Sequence, residues 1–319
     1  MNLISPYPKS VSSLLITERQ WCIVRCLIYF DIFTYPLTKA EILDNTSYKN
    51  ITLADVNADL TELLDIGVIA QCDGFYFLPG RQSIIAFRLK VNATAQRFWP
   101  KALSMSGLIS GFPFVEGVFI TGSLAKNCMD EDGDIDYLII TRPGRLWVCR
   151  ALLTAYKKIF LLNSRKYFCV NYYVSTDALG VPDENIFTAT EITSAVPTYH
   201  AITCNKFRES NGWTARFYPN KSEAPDIHPL EVNKSATKRL MENFLNGWIG
   251  ERFDEILFRL FVWRWKRKFG HLDPATFEIN FRSRRHVSKH HPRGFQVKVL
   301  NEYEKRIREF EDKNLLKLL

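Results

Sequence analysis

The sequence predicts an α/β (α+β) protein in which a mixed β-sheet carries helices, between a small helical module and a helical tail. Three observations favour this class. Apolar runs at 118–120, 138–140 and 167–174 predict three strands. A mostly apolar helical pattern over 145–162 joins the second run to the third, as in a strand–helix–strand unit. Further helical patterns precede and follow this region, so the sheet is expected over 86–205.

Residues 1–85 predict three short helices followed by a hairpin. Thr17 is placed to cap the first helix, and Thr52 with Asp55 forms a typical helix-start signal for the third. The Asp73-Gly74 pair between two apolar runs predicts a tight hairpin turn. This order resembles a winged-helix domain.

Duplex DNA is not an expected partner of this module. Its third helix carries Asp55, Asp59, Glu62 and Asp65, and residues 1–80 contain 5 Lys and Arg against 9 Asp and Glu. Affinity for DNA depends largely on neutralising phosphates with cationic side chains. A packing or protein-contact role is therefore favoured.

The most informative segment follows a helix predicted over 86–110. An apolar strand ends in Thr121-Gly122-Ser123, and Asp134-Ile135-Asp136 opens the next strand about ten residues later. Strand side chains alternate between faces, so Asp134 and Asp136 are expected to point the same way. Glycine permits close backbone approach to a phosphate, serine offers a hydroxyl donor, and Mg²⁺ prefers carboxylate oxygens.

This order of strand, Gly-Ser turn and Asp-x-Asp strand resembles the signature of the polymerase-beta-type nucleotidyltransferase superfamily, including its bacterial stand-alone members. The resemblance implies that Gly122 and Ser123 hold the phosphates of an NTP substrate. It implies that Asp134 and Asp136 bind Mg²⁺ or Mn²⁺ and are catalytic. Lys126, one helical turn after the Gly-Ser pair, adds a positive charge beside the phosphates. The implied activity is transfer of a nucleoside monophosphate to an acceptor hydroxyl, on a small molecule, protein or RNA.

A third carboxylate is missing from the expected position. Active members of the superfamily commonly carry one on a later strand, but the strand at 167–174 has no acid and presents Asn171 instead. Asp177 and Glu191 remain candidates for this role. The alternative hypothesis is a catalytically weakened or inactive protein of the same fold that acts as a nucleotide-binding or regulatory module.

Residues 206–319 predict a basic, mainly helical C-terminal region. The net charge of +8 belongs to its last part, where residues 231–319 hold 20 Lys and Arg against 12 Asp and Glu. The segment 281–296 is either a solvated basic loop or a phosphate-binding patch for triphosphate or RNA. The patch residues are Arg282, Arg284, Arg285, Lys289 and Arg293.

Two C-terminal helices are expected. One, over 245–269, mixes aromatic and basic side chains; it either packs on the core, which we favour, or lies on an anionic membrane. The other, over 297–319, mixes acids and bases at helical spacing and predicts a solvated helix.

Composition favours a cytoplasmic protein. No apolar stretch approaches the roughly 20 residues that span a bilayer, and the N-terminus lacks a signal-peptide pattern. The seven cysteines are scattered, which favours buried free thiols over disulfides or zinc ligands.

Overall fold

A computed structural model describes residues 14–222, 229–231 and 235–318. Within those ranges it contains twelve α-helices and a mixed sheet of six strands, so the fold is α+β as the sequence predicts. In chain order the first elements are β1 (Leu15–Ile16), α1 (Glu18–Asp31), α2 (Lys39–Asn45), α3 (Leu53–Asp65), β2 (Ala70–Cys72), β3 (Phe75–Phe77), α4 (Ile84–Ser110), β4 (Val115–Thr121), α5 (Gly122–Ala125), β5 (Asp136–Thr141) and α6 (Leu146–Phe160). They are followed by β6 (Cys169–Ser175), α7 (Ile186–Ser194), β7 (Val196–Tyr199), α8 (Ala201–Ser210), α9 (Ala236–Phe244), α10 (Trp248–Phe269), α11 (Pro274–Phe281), β8 (Ser283–Arg284), β9 (Val287–Lys289), α12 (Phe295–Asn314) and β10 (Lys317–Leu318).

The chain forms two compact units. The first comprises residues up to 85 together with 216–221 and 298 onward, and the second comprises 86–215 and 222–297. Residues of the C-terminal region 206–319 thus contribute to both units.

Three capped helices and a hairpin build the N-terminal part of the first unit. Thr17, Thr38 and Thr52 each cap a helix, and the residue three positions later reciprocates by bonding the threonine amide. The hairpin of β2 and β3 turns at Asp73 and Gly74, whose φ angles of +51° and +79° suit the predicted tight turn. Arg19 of α1 pairs with Asp55 and Asp59, so part of the acidic surface of α3 is engaged within this unit.

The last helix also packs in the first unit. In α12, Val299 and Tyr303 are buried, and the Tyr303 ring meets Tyr29 of α1 edge-on at 5.3 Å. Phe310 stacks on Trp21 at 5.7 Å. The expectation of a solvated helix is therefore wrong. Its apolar face recurs every three to four residues, but the many charged residues between these positions obscure it.

The second unit is built on the six-stranded sheet, whose spatial order is β7-β4-β5-β6-β9-β8. Neighbours are antiparallel except β5 and β6, which are parallel and joined by α6. Since parallel neighbours need a crossover connection, the helical pattern at 145–162 accounts for this pairing.

Helices cover both faces of the sheet. Val118, Ile120, Tyr137 and Ile139 face one apolar cluster with residues of α4, α6 and α10. The alternate residues Phe119, Leu138 and Ile140 face a second cluster with Ile192 of α7 and Phe207 of α8. This alternation is the period-two pattern of strands buried on both sides.

Three strands of the sheet lie outside the three apolar runs that predict strands. The edge strand β7 contains Pro197, and proline argues against a strand assignment except at an edge. Strands β8 and β9 lie within 281–296, where Val287 is the one large apolar residue among the cations between Phe281 and Phe295. The prediction of a basic loop is therefore wrong for 283–284 and 287–289.

Candidate functional site

The candidate site begins where β4 ends and β5 starts. Thr121 and Asp136 are directly opposed in the antiparallel ladder, so the next residue, Gly122, lies against the Asp136 side chain. Gly122 has φ of +70°, and a Cβ placed on it would lie 2.4 Å from Oδ2 of Asp136. Only glycine fits this position without displacing the carboxylate.

A single helical turn, α5, follows the bend. Ser123 lies in this turn, and its carbonyl accepts hydrogen bonds from the amides of Lys126 (3.2 Å) and Cys128 (2.9 Å). Its hydroxyl meets the weak acceptor Sδ of Met129 at 3.3 Å. The Ser123 hydroxyl is therefore available to a stronger acceptor such as a phosphate oxygen.

The loop between α5 and β5 is fixed to its surroundings at several points. Met129 and Ile135 are fully buried, and Glu131 is ion-paired with Arg97 of α4. The Ile135 amide donates to the Lys166 carbonyl at 2.9 Å. Strand β5 begins only at Asp136, so Asp134 and Ile135 lie in the loop before it and do not open the strand as the sequence predicts. Asp134 and Asp136 are both partly exposed, and Ile135 between them is buried.

Asn171 contacts this site through an irregularity of β6. Tyr137 pairs with Val170 and Leu138 with Tyr172, which leaves Asn171 as the extra residue of a β-bulge. Bulges redirect side chains, and here Nδ2 of Asn171 donates to Oδ1 of Asp136 at 2.8 Å. Asn171 thus lies beside Asp136, in the position where the resemblance implies a third acid.

The two alternative acids have different positions. Glu191 of α7 forms an ion pair with Lys126, with 2.5 Å between Oε1 and Nζ, and its charge also acts on Asp136. Asp177 lies in the turn after β6, whose last residue, Ser175, is about 13 Å along the strand from Asn171. Glu191 is therefore the acid that the fold brings to the site.

The electrostatics of Asp136 differ from those of an exposed carboxylate. Burial is the main cause that raises the pKa of Asp136 to about 7, and the charges of Glu191 and Asp134 act in the same direction. The Cys169 thiol, which bonds Asp136, and the Lys126 ammonium oppose this rise. A cation at the site would relieve the unfavourable proximity of these carboxylates.

The donor set fits a hard divalent cation bound partly by its substrate. Among the residues that the structure describes, no group of three or more His, Cys, Asp or Glu is arranged to hold a metal. Asp134, Asp136 and the amide oxygen of Asn171 offer oxygen donors only. Mg²⁺ usually takes one or two carboxylates and completes its shell with water and substrate phosphates, so these residues fit it.

The predicted phosphate patch is largely neutralised by acids. Arg282 and Lys289 both pair with Asp183, at 2.8 Å and 3.1 Å. Arg284 pairs with Glu278 at 2.8 Å, and Arg285 lies 3.6 Å from Glu255. Arg293 is exposed. These ion pairs favour a structural role for most of the patch.

Cys169 is the site residue that sequence reasoning missed. It is opposed to Asp136 in the parallel ladder, and its Sγ also lies 3.8 Å from Nδ2 of Asn171. The only available signal was its position at the start of a strand next to β5. The register of the two strands is needed to place it.

Comparisons with protein-family models, curated proteins and solved structures find no match to this chain. Within the described ranges, no helix has the length and apolar character to cross a membrane.

Proposed function

We propose that this chain is a Mg²⁺-dependent nucleotidyltransferase that moves a nucleoside monophosphate from an NTP to an acceptor hydroxyl. The acceptor oxygen would bond to the α-phosphorus while the bond from that phosphorus to the β-phosphate bridging oxygen breaks, which releases pyrophosphate. The acceptor class, whether small molecule, protein or RNA, stays open in this proposal. A cytoplasmic location fits an NTP substrate.

One observation carries the proposal: the contact between the Gly122 backbone and the Asp136 carboxylate. It brings the bend that carries Ser123 next to Asp136, whose pKa also responds to the charge of Asp134. Phosphate binding and cation binding therefore take place within one small region, as transfer from a triphosphate requires.

Each residue has a distinct task in this proposal. Gly122 allows the backbone to approach the phosphates, and Ser123 donates its hydroxyl to them. Lys126 supplies positive charge once its ion pair with Glu191 opens. Asp134 and Asp136 would hold the cation, with the Asn171 amide beside them. When bound, the cation supplies neutralisation of the phosphate charge and orientation of the reacting oxygens.

The proton of the acceptor hydroxyl needs a base. Glu191 is the carboxylate nearest to Lys126, and the release of Lys126 to the phosphates would free Glu191 to accept that proton. Glu191→Gln tests whether Glu191 is this base. The variant should still bind NTP, but it should lose turnover because glutamine cannot accept the proton.

The defining experiment measures NTP binding by calorimetry with and without Mg²⁺. Asp134→Asn and Asp136→Asn are expected to abolish the Mg²⁺-dependent part of the affinity. Asp132→Asn is the matched control, because Asp132 is an exposed acid of the same loop. Equal Mg²⁺-dependent binding in all four proteins would refute the site.

A second candidate function is supported by the Asn171–Asp136 hydrogen bond. An amide in place of the third acid gives a site that can bind an NTP and a cation but lacks one negative ligand. Such a protein would act as a nucleotide-binding or regulatory module. Incubation with labelled ATP, GTP, CTP and UTP over candidate acceptors discriminates the two, since binding without pyrophosphate release favours the module.

A further inference from the structure

Helix α10 presents two apolar faces, and the residues that the structure describes cover only one of them. Its inner face packs on α6, where the Trp147 ring lies 5.1–5.8 Å from the rings of Phe258, Phe261 and Trp265. Oδ1 of the fully buried Asp254 accepts hydrogen bonds from the amides of Trp147 (2.8 Å) and Val148 (2.9 Å). These contacts hold the helix firmly and fix which side faces outward.

The outer face forms a continuous apolar stripe. Large side chains recur at alternating spacings of three and four residues, which places them along one side of the helix. Their exposed fractions lie between 43% and 73%. The stripe consists of Ile249, Phe253, Ile256, Leu260 and Trp263, with Trp248 at its N-terminal end. Sustained exposure of this kind marks a binding surface.

Exposed cations border this stripe on both sides. At 100° per residue, Arg252, Arg259 and Lys266 lie along one border, and Arg264 and Lys268 along the other. Arg267 lies over the Trp263 ring at 5.6 Å, and Trp263, Arg264, Arg267 and Lys268 surround a shallow surface depression. The acids of the helix are Glu251, the buried Asp254, and Glu255, which pairs with Arg259.

We propose that the outer face of α10 binds the surface of an anionic lipid bilayer, with the stripe inserted among the acyl chains and the flanking cations on the lipid phosphates. Helices with an apolar face and a Lys- and Arg-rich polar border lie in the membrane interface in this manner. Tryptophan favours that interface because its ring is apolar and its N–H is polar. This inference is independent of the proposed transferase activity.

The charges argue against a second copy of the chain as the occupant. The spacing of the stripe also suits a two-helix seam, in which the bordering positions of the two helices face each other. In such a pair, whether parallel or antiparallel, the cations that border one stripe would face the cations that border the other. A lipid surface instead supplies negative charge along the whole stripe.

The test is co-sedimentation of the full chain with vesicles of phosphatidylcholine alone or mixed with phosphatidylglycerol. Binding is expected only to the anionic vesicles and should weaken as salt rises. Arg252→Gln/Arg259→Gln/Lys266→Gln should lower the affinity by about 100-fold, since each cation near such a surface contributes roughly a five-fold change. Phe253→Ser/Ile256→Ser/Leu260→Ser should abolish binding.

Two control variants test whether lipid binding requires the outer face of α10 or only exposed apolar and cationic side chains anywhere on the surface. Ile202→Ser removes an exposed apolar side chain of α8, and Lys90→Gln/Lys206→Gln removes two exposed cations elsewhere. Both should bind as the wild type does. Quenching of tryptophan fluorescence by brominated lipid should fall in Trp263→Phe.

Three outcomes would overturn the proposal. The first is absence of binding to anionic vesicles, and the second is equal binding to neutral and anionic vesicles. The third is concentration-dependent dimerisation in sedimentation velocity that the triple serine variant abolishes, because it would assign the stripe to a second copy. Preserved far-UV circular dichroism in the variants excludes unfolding as the cause of lost binding.

Discussion

Asn171 is the residue at which the candidate site departs most from the pattern it resembles. The bulge in β6 directs this side chain at Asp136, so the position is built for a group that contacts the carboxylate. When no cation is bound, an amide donor there is more favourable than a third negative charge. We therefore expect Asn171 to stabilise the Asp136 carboxylate when no cation is bound and to lower the affinity for a cation.

Asn171→Asp should lower stability in the absence of a cation and raise the affinity for a cation. Without metal, it replaces a hydrogen bond by contact between two carboxylates and is expected to lower the free energy of unfolding by about 1–2 kcal/mol. Added Mn²⁺ or Mg²⁺ should then raise the melting temperature more than it does in the wild type. Thermal unfolding with and without the metal measures both effects. Asn171→Ala is the control, and an equal metal response in Asn171→Asp and wild type would contradict the assignment.

Gly122 offers a second test at this scale. Gly122→Ala should destabilise the protein for two reasons. The positive φ is unfavourable for alanine by about 1–2 kcal/mol, and the added Cβ would collide with the Asp136 carboxylate. Gly144→Ala is matched, because Gly144 has φ of +65° and nothing within 4 Å of an added Cβ. Urea unfolding should show the larger loss in Gly122→Ala, and calorimetry should show loss of NTP binding there alone. Similar unfolding midpoints in both variants would speak against the close contact between the bend and the carboxylate.

At the scale of elements, α6 depends on a side chain from another helix for its first turn. Its N-cap residue, Arg145, makes no side-chain capping bond, and Asp254 of α10 accepts from two of the first amides instead. Four amides at a helix start lack partners within the helix, so an acid from outside can serve as the cap. This contact explains why an acid is fully buried among apolar residues.

Asp254→Ala should leave two buried amides without acceptors and lower the free energy of unfolding by about 3 kcal/mol. Asp254→Asn keeps an accepting oxygen in the same place and should retain most of the stability. Glu251→Ala is the surface control on the same helix and should change little. Equal losses in the alanine and asparagine variants, measured by urea unfolding, would argue against the capping role.

Predictability also differs between elements. The strands β4, β5 and β6 follow from apolar runs in the sequence, whereas the contact of Gly122 with Asp136 depends on the register of β4 and β5. The bond from Asn171 depends on a bulge, and the Lys126–Glu191 ion pair depends on the orientation of α7. Neither leaves a periodic signal in the sequence. In α10, both faces are apolar, so periodicity alone does not indicate which one is buried.

At the scale of the whole molecule, two neutral histidines link stability to pH. His290 contacts the rings of Trp265, Phe269 and Phe281, and His291 lies beside Tyr172. Burial is the main cause that lowers the pKa of each to about 3. The positive charges of Arg150 and Arg165 act on His290, and those of Lys289 and Arg150 on His291, in the same direction.

Because the pKa values of both histidines are lowered in the folded protein, the free energy of unfolding should decrease as the pH falls. As pH falls below about 6.5, the unfolded chain takes up protons at both positions while the folded chain does not, so stability declines until about pH 3. The two groups together contribute a slope of at most about 2.7 kcal/mol per pH unit. His290→Gln/His291→Gln should flatten the decline in urea unfolding between pH 7 and 4. An unchanged slope would show that the imidazoles are protonated in the folded protein.

The two margins of the six-stranded sheet have a consequence for self-association. On the β7 side, Pro197 has no amide hydrogen to donate, and the backbone of Leu230 already bonds Thr198 and His200. On the other side, β8 is only two residues long and carries Arg284. At neither edge do the described residues present a long row of unpaired backbone N–H and C=O groups to which a strand of another molecule could bond. Concentrated solutions should consequently resist fibril growth by strand addition, even though the interior of the sheet is rich in β-branched and aromatic residues.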